Sequence, residues 1–421
     1  MKLNLPITQI RWICLGLGLI LSVAAWVAHL EGFSLPLERR VLAQLQRLKS
    51  SPVEPPVMLV TIQDAGQRGW PWSSLDYAVL MNALGPFHPE VVALSIPLLE
   101  GDPVYRVYDI QLGKQIEKLN KVVLSCSGAE PNPFSDTTFS SALLKGVPPP
   151  DLFSFNGAGL PIPEILRQAP VGLNILPVDG NGLTKKIPLL ALYHNNLTAT
   201  FLLQVYAEYL KTDWRRSEYS DSEIILRNSK GRELARIPVD KEGCLMLHYH
   251  PDTIHKSAVE FYQAVVASEQ VRNGLNPIMN ISQAGQKIVL VGAEVPGTYS
   301  PVHTPVGKTA PVRVQYQALE NLFNRDFTRP LAPPAVLGIL LLIGIFASQA
   351  ALLRHLPLSL SLLSLAVTLT ACGSALLYEH ASLWVPAGLI ILTASFTWIF
   401  CRALFFCLYD PNPQQELDLR F

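Results

Sequence analysis

The chain predicts an α/β globular domain, a largely parallel sheet flanked by helices, together with four transmembrane α-helices. Three observations predict this. Apolar runs at 12–30, 335–353, 358–378 and 383–409 are each long enough to cross a hydrocarbon core of roughly 30 Å as a helix. Between the first and second runs, short β-branched stretches alternate with helical patterns. Hydrophobic residues make up 49% of the chain and charged ones only 16%, with a mean hydropathy of +0.27. Those values exceed what a soluble domain needs.

The first run carries a small-x-small step at Ser22-Val23-Ala24, but its apolar character continues through Val27. An uncleaved anchor over 1–34 therefore fits better than a signal peptide. Residues 35–330 are numerous enough for one domain with its own core. Within them, 58–62 reads as a strand, 75–84 as a helix, 91–95 as a strand, 110–119 as a helix and 121–125 as a strand. Strand–helix–strand at this spacing argues for parallel strands joined by right-handed crossovers. The stretch 131–163, rich in Pro, Ser and Gly, reads as a surface excursion. Further strands are expected at 224–227, 245–250 and 287–291, and helices at 198–210 and 313–324. Residues 331–409 hold the three rear membrane helices, and 410–421 form a short tail.

Lys and Arg total 33 against 33 Asp and Glu, so the formal net charge is zero. No basic field favours nucleic acid. No internal repeat is visible, which excludes solenoids and propellers. Of six cysteines, Cys14, Cys372, Cys401 and Cys407 lie in membrane runs. Cys126 and Cys244 lie in the globular region, as buried thiols or, in an oxidising space, a disulfide. Lys2, Arg11, Arg354 and Arg402 mark one membrane side, and Arg39, Arg40, Arg47, Lys49, Arg325 and Arg329 the other. The positive-inside rule does not choose between them.

Several blocks carry a family likeness. Leu59-Val60-Thr61-Ile62-Gln63-Asp64 precedes Gly69-Trp70-Pro71-Trp72. Tyr108-Asp109-Ile110-Gln111-Leu112 opens a helix. Asn174 is followed by Asp179-Gly180-Asn181-Gly182 and by Lys185-Lys186-Ile187-Pro188. Then come Ile237-Pro238-Val239-Asp240 with Gly243, and Lys287-Ile288-Val289-Leu290-Val291-Gly292 after Gly285, with Thr304-Pro305 beyond. On these blocks the chain resembles the CHASE type-2 domain, an extracytoplasmic sensory module of bacterial cyclases and kinases. The likeness covers most of 50–330 and the three helices that follow. It implies a periplasmic domain on a bacterial inner (plasma) membrane, with the amino terminus, the 354–355 connection and the tail cytoplasmic. It also implies a sensor or binding module rather than an enzyme. The chain departs from the family at Ser95, where Asp is usual, at Ser73-Ser74, where Arg is usual, and across 311–316.

Ligands in open α/β sheets collect beyond the carboxyl ends of parallel strands. Asp64, Ser95, Cys126 and Gly292 stand at four such ends. Asp64 is the expected polar anchor, with Trp70 and Trp72 as apolar or stacking surface, Ser95 and Gly292 completing the ligand set. Against this stands a capping Asp64 and a Trp-Pro-Trp run that packs a loop. His248, His250, Asp252 and His255 look like metal ligands, and the two histidines two apart share one strand face. Their spacing matches no hydrolase pattern, so no metal and no cofactor is assigned. Asp179-Gly180-Asn181-Gly182 lacks a calcium loop's later acidic ligand and reads as a tight turn. No nucleophile elbow, phosphate loop or dinucleotide fingerprint occurs.

Partners are then the lipid bilayer and a separate signalling or membrane protein. The Cys14, Gly18 and Ser22 face of the first helix offers either a homodimer contact or packing on the chain's own later helices. The tail is too short for an output domain, since autonomous folding needs roughly 40 residues. A signal is therefore expected to leave through helix contacts, with Ser348, Gln349, Thr368, Thr370 and Ser374 as hydrogen-bonding positions. The alternatives are a structural subunit of a membrane or envelope complex and a metal-dependent extracytoplasmic hydrolase.

Overall fold

A computed structural model describes residues 6–31, 41–42, 44–46, 53–63, 70–98, 105–119, 121–128, 146–179, 182–220, 222–251, 258–275, 284–297 and 299–408. The chain divides into two units, 50–327 and the combination of 1–49 with 328–421.

In the first unit, six parallel strands make the main sheet. They are β1 (Val57–Ile62), β2 (Val91–Leu94), β3 (Val122–Gly128), β4 (Val171–Asn174), β5 (Val259–Glu260) and β6 (Ile288–Ala293). Their spatial order is β5-β1-β6-β2-β3-β4, and the short strand Ala158–Gly159 adds antiparallel to β3. Side chains alternate strictly across the central strands. Val57, Leu59, Val91, Ala93, Ile288 and Leu290 enter one core, while Val60, Ile62, Val92, Leu94, Val289 and Val291 enter the other. A strand buried on both faces needs apolar residues at every position, which is why these runs are continuous rather than alternating.

Helices α1 (Ser74–Leu84), α2 (Arg106–Leu119) and α3 (Phe261–Arg272) cover the second core through Leu80, Met81, Leu84, Leu112, Ile116, Ala264 and Ala267. Helix α1 starts with a capping box in which Ser73 and Asp76 satisfy each other's backbone N–H. Behind it, Ser74 donates to the buried Asp109 of α2. These two serines thus hold α1 in place. Helices α4 (Phe201–Tyr209) and α5 (Pro311–Asn324) cover the first core through Phe201, Leu203, Val205, Val312, Val314, Ala318 and Leu319.

The second unit contains four long apolar helices, α6 (Ile7–Leu30), α7 (Pro333–Ala351), α8 (Leu356–Ala381) and α9 (Ala387–Leu408). The first in sequence packs on α7 through small residues. A Cβ on Gly18 would stand 2.8 Å from the Gly344 carbonyl oxygen, and Ser22 Oγ lies 2.8 Å from the carbonyl oxygens of Gly18 and Leu340. The Cys14, Gly18 and Ser22 face is thus occupied within the chain. Arg402, the one charge in the last span, is buried; its Nη1 donates to Ala351 O at 2.8 Å and Leu353 O at 2.5 Å, capping the end of α7, while its Nε has no hydrogen-bond partner among the described residues. The chain entering α7 is also tied down, since Arg329 and Pro330 pair in parallel with Leu383 and Trp384.

Candidate functional site

The connections of β1 and β6, neighbours in the sheet, leave in opposite directions. β1 leads to α1 on one face and β6 leads to α5 on the other. Such a switch point opens a crevice outside the carboxyl ends of the strands, where open α/β sheets bind ligands. A cavity of about 480 Å³ occupies this position, lined by Gln63, Glu294, Pro296, Tyr299, Lys308, Thr309, Ala310 and Arg313.

The polar groups there are placed by the strand ends, by the first turn of α5 and by the hairpin 302–309 between them. Gln63 follows β1 directly, and its amide donates to Thr61 Oγ1 at 3.2 Å. Glu294 follows β6, with its backbone N–H donating to Ile62 O at 2.7 Å. Arg313 grips Glu294 bidentately, Nε to Oε1 at 2.5 Å and Nη2 to Oε2 at 3.0 Å. Both side chains are largely buried, 16% and 10% exposed, so the pair is fixed rather than swinging in solvent. A second polar line continues along the same edge. Asn174 at the end of β4 donates to Ser95 O at 3.3 Å and accepts from Gln315 Nε2 at 2.7 Å. Gln315 is fully buried, and its Oε1 has no hydrogen-bond partner among the described residues. This edge presents a paired cation and anion, amide groups and the polar ends of Tyr299 and Lys308.

The residues singled out by sequence fare unevenly. Ser95 does stand at the carboxyl edge, where its N–H donates to Val291 O at 2.8 Å. Gly292 stands there too, but what it permits is contact, because a Cβ would collide with the side chain of Val312 on α5. Trp70 and Trp72 do not line the cavity. Trp72 packs edge-on against Phe261 with ring centroids 4.5 Å apart and lies 5.9 Å from Tyr77, inside the layer between α1 and α3. Asp64 lies outside the described residues, as do Asp252, His255, Gly180 and Asn181. Asp179 accepts from Leu183 N at 2.9 Å and pairs with Lys185 at 2.8 Å.

Sequence reasoning missed Glu294, Lys308 and Arg313. Glu294 follows Gly292 by two residues and could have been found from the strand-end rule, but Arg313 reaches the site only because α5 folds back across β6. Cys126 and Cys244 are both buried free thiols. Burial pushes the Cys126 thiol up to about 12 and raises Cys244 as well.

His248 and His250 are likewise buried, on an extended segment that leaves strand β7 (Cys244–Met246) and lies against α5. Asn321 Oδ1 accepts from His248 N at 2.9 Å, and Asn321 Nδ2 donates to His248 O at 3.0 Å. Gln317 Oε1 accepts from His250 N at 3.0 Å, while its Nε2 donates to Glu320 at 2.7 Å. The polar face of α5 thus does for this segment what a neighbouring strand would do.

Comparison with family models matches the CHASE2 domain over residues 18–400. No curated protein and no solved structure matches the chain. The match takes in the α/β unit and most of the four apolar helices, and the family is one of sensory extracellular domains. The chain is a membrane protein belonging to the CHASE2 domain family.

Proposed function

We propose that the chain is a sensor that binds a small polar molecule in the crevice between β1 and β6 and passes the event to its membrane helices, without turning the molecule over. The cavity beside the Arg313–Glu294 pair carries this reading. A bound ligand with a carboxylate, phosphate or ammonium group competes for one partner of the pair, and Arg313 stands in the first turn of α5. The helix ends at Asn324 and the chain runs on through 325–332 into α7, so a shift at its start has a covalent route to the membrane. The unit is proposed to face the periplasm from the inner membrane of a bacterium, as the family resemblance implies.

A thermal-unfolding screen of the detergent-purified full chain with amino acids, nucleotides, organic acids and sugars tests this. A ligand at 100 times its Kd stabilises by about 2.7 kcal/mol, so the wild type responds to at least one compound and Glu294→Gln loses that response. A screen without any response, with one protein co-purifying throughout, would favour the structural-subunit alternative.

The partner is proposed to meet α8, the least covered of the four apolar helices. Ser361, Ser364, Thr368 and the exposed Cys372 recur there every three or four residues. Thiol crosslinking at Cys372 in cells is expected to capture a second membrane protein. Capture of nothing, or of this chain alone, would remove the heterologous partner.

A further inference from the structure

We propose that His248, His250 and Asp326 form a binding site for one divalent transition-metal cation of the zinc class. The two histidines, two apart on an extended segment, project to the same side, and their rings stack with centroids 4.4 Å apart and planes 13° apart. Asp326, beyond the end of α5, turns its carboxylate toward both. Its Oδ2 lies 2.9 Å from His250 Nε2 and its Oδ1 lies 3.5 Å from His248 Nδ1. One ligand atom from each residue falls within 4.8 Å of the others.

These distances, measured to the two oxygens of one carboxylate, are compatible with a shared ion. Nitrogen and oxygen ligands about 2.0–2.1 Å from a tetrahedral zinc lie roughly 3.3 Å from one another, and 2.9 and 3.5 Å bracket that separation. An N–H···O hydrogen bond spans about 2.7–3.2 Å; the His250 contact at 2.9 Å is one, which an ion would replace, while the His248 contact at 3.5 Å lies beyond that range. The donor set also selects the metal. Two imidazoles and one carboxylate suit zinc, whereas calcium and magnesium call for all-oxygen cages.

The site is also built rather than incidental. All three side chains are buried, at 0%, 1% and 8% exposure. The backbones of both histidines are held by Asn321 and Gln317, so the imidazoles are already placed before an ion arrives. Sequence spacing found the histidines but not this ligand, because Asp326 is 76 residues from His250.

Such an ion would tie the segment after β7 to the end of α5, seven residues before α7 begins at Pro333. It does not depend on the ligand crevice, which lies at the opposite end of α5. From Arg313 to Glu320 the helix rises about 10 Å. Loss of either site therefore leaves the other open to measurement.

Zinc binding to the metal-stripped, detergent-purified full chain tests the proposal by competition against a chromophoric chelator. The expected result is one zinc per chain and a higher melting temperature. Asp326→Asn and His250→Gln are each expected to weaken binding at least about tenfold, the lower bound being what loss of a mere supporting group costs. X-ray absorption at the zinc edge of the wild-type chain is independent of how the variants fold, and should read two imidazole ligands. No stoichiometric zinc, equal binding by the Asp326→Asn chain, or zinc without imidazole ligation would overturn the site.

Discussion

Glu294 and Arg313 form a bidentate ion pair at the carboxyl edge of the sheet. The strand-end rule places Ser95 and Gly292 at the carboxyl edge of the sheet, and both stand at that edge. Its side-chain chemistry comes instead from Arg313, which no local pattern marks, since only the return of α5 across β6 brings it to Glu294. The aromatic pair does not line the crevice, in keeping with the packing alternative. A Trp-Pro-Trp run has the same composition whether it stacks on a ligand or seals a helix layer, and here Phe261 and Tyr77 take the rings of Trp72. The cysteines permit a direct test. Cys126 is fully buried, accessible only through unfolding, and its thiol is pushed up to about 12 by burial. In the folded chain Cys126 and Cys244 should resist maleimide at pH 8, and both should react once denatured without reductant. Failure of both to react after denaturation would indicate a disulfide between them.

Helix α5 is the element on which the unit turns. Its apolar stripe of Val312, Val314, Ala318, Leu319 and Leu322 faces the sheet. Its polar residues Gln315, Gln317, Glu320 and Asn321 are buried as well, so the helix is enclosed nearly all round. Sequence periodicity placed a helix at 313–324, and the structure has it over Pro311–Asn324. It also expected one strand over 245–250. The ladder stops at Met246, and beyond it the backbone is carried by Asn321 and Gln317 instead of a neighbouring strand. Strand β4 escaped notice because Val171-Gly172-Leu173-Asn174 is too short and mixed to stand out. Asn321→Ala should strand the N–H and C=O of His248 in a dry site, at about 1–3 kcal/mol for each group left unmade. Chemical denaturation of the full chain reads this as a lower midpoint, and a change within error would mean that the clamp contributes nothing.

At the scale of the molecule, four apolar runs and one alternating region were enough to give the architecture, because membrane spans and doubly buried strands each demand long apolar stretches. Sidedness was not legible from charge, since Arg and Lys flank both ends of the spans. The family relationship supplies an expectation for it. Val147 is 83% exposed on the α/β unit, and a Val147→Cys chain should be labelled by an impermeant maleimide in intact cells. Protection there, with labelling only after lysis, would place the unit in the cytoplasm. The central claim is that an event in the crevice travels along α5 toward the membrane helices. Hydrogen exchange on the full chain, with and without a compound that raises its melting temperature, measures this directly. Protection at 294–313 together with altered exchange over 318–332 is expected. Protection confined to other parts of the sheet, or crevice protection with 318–332 unchanged, would contradict it.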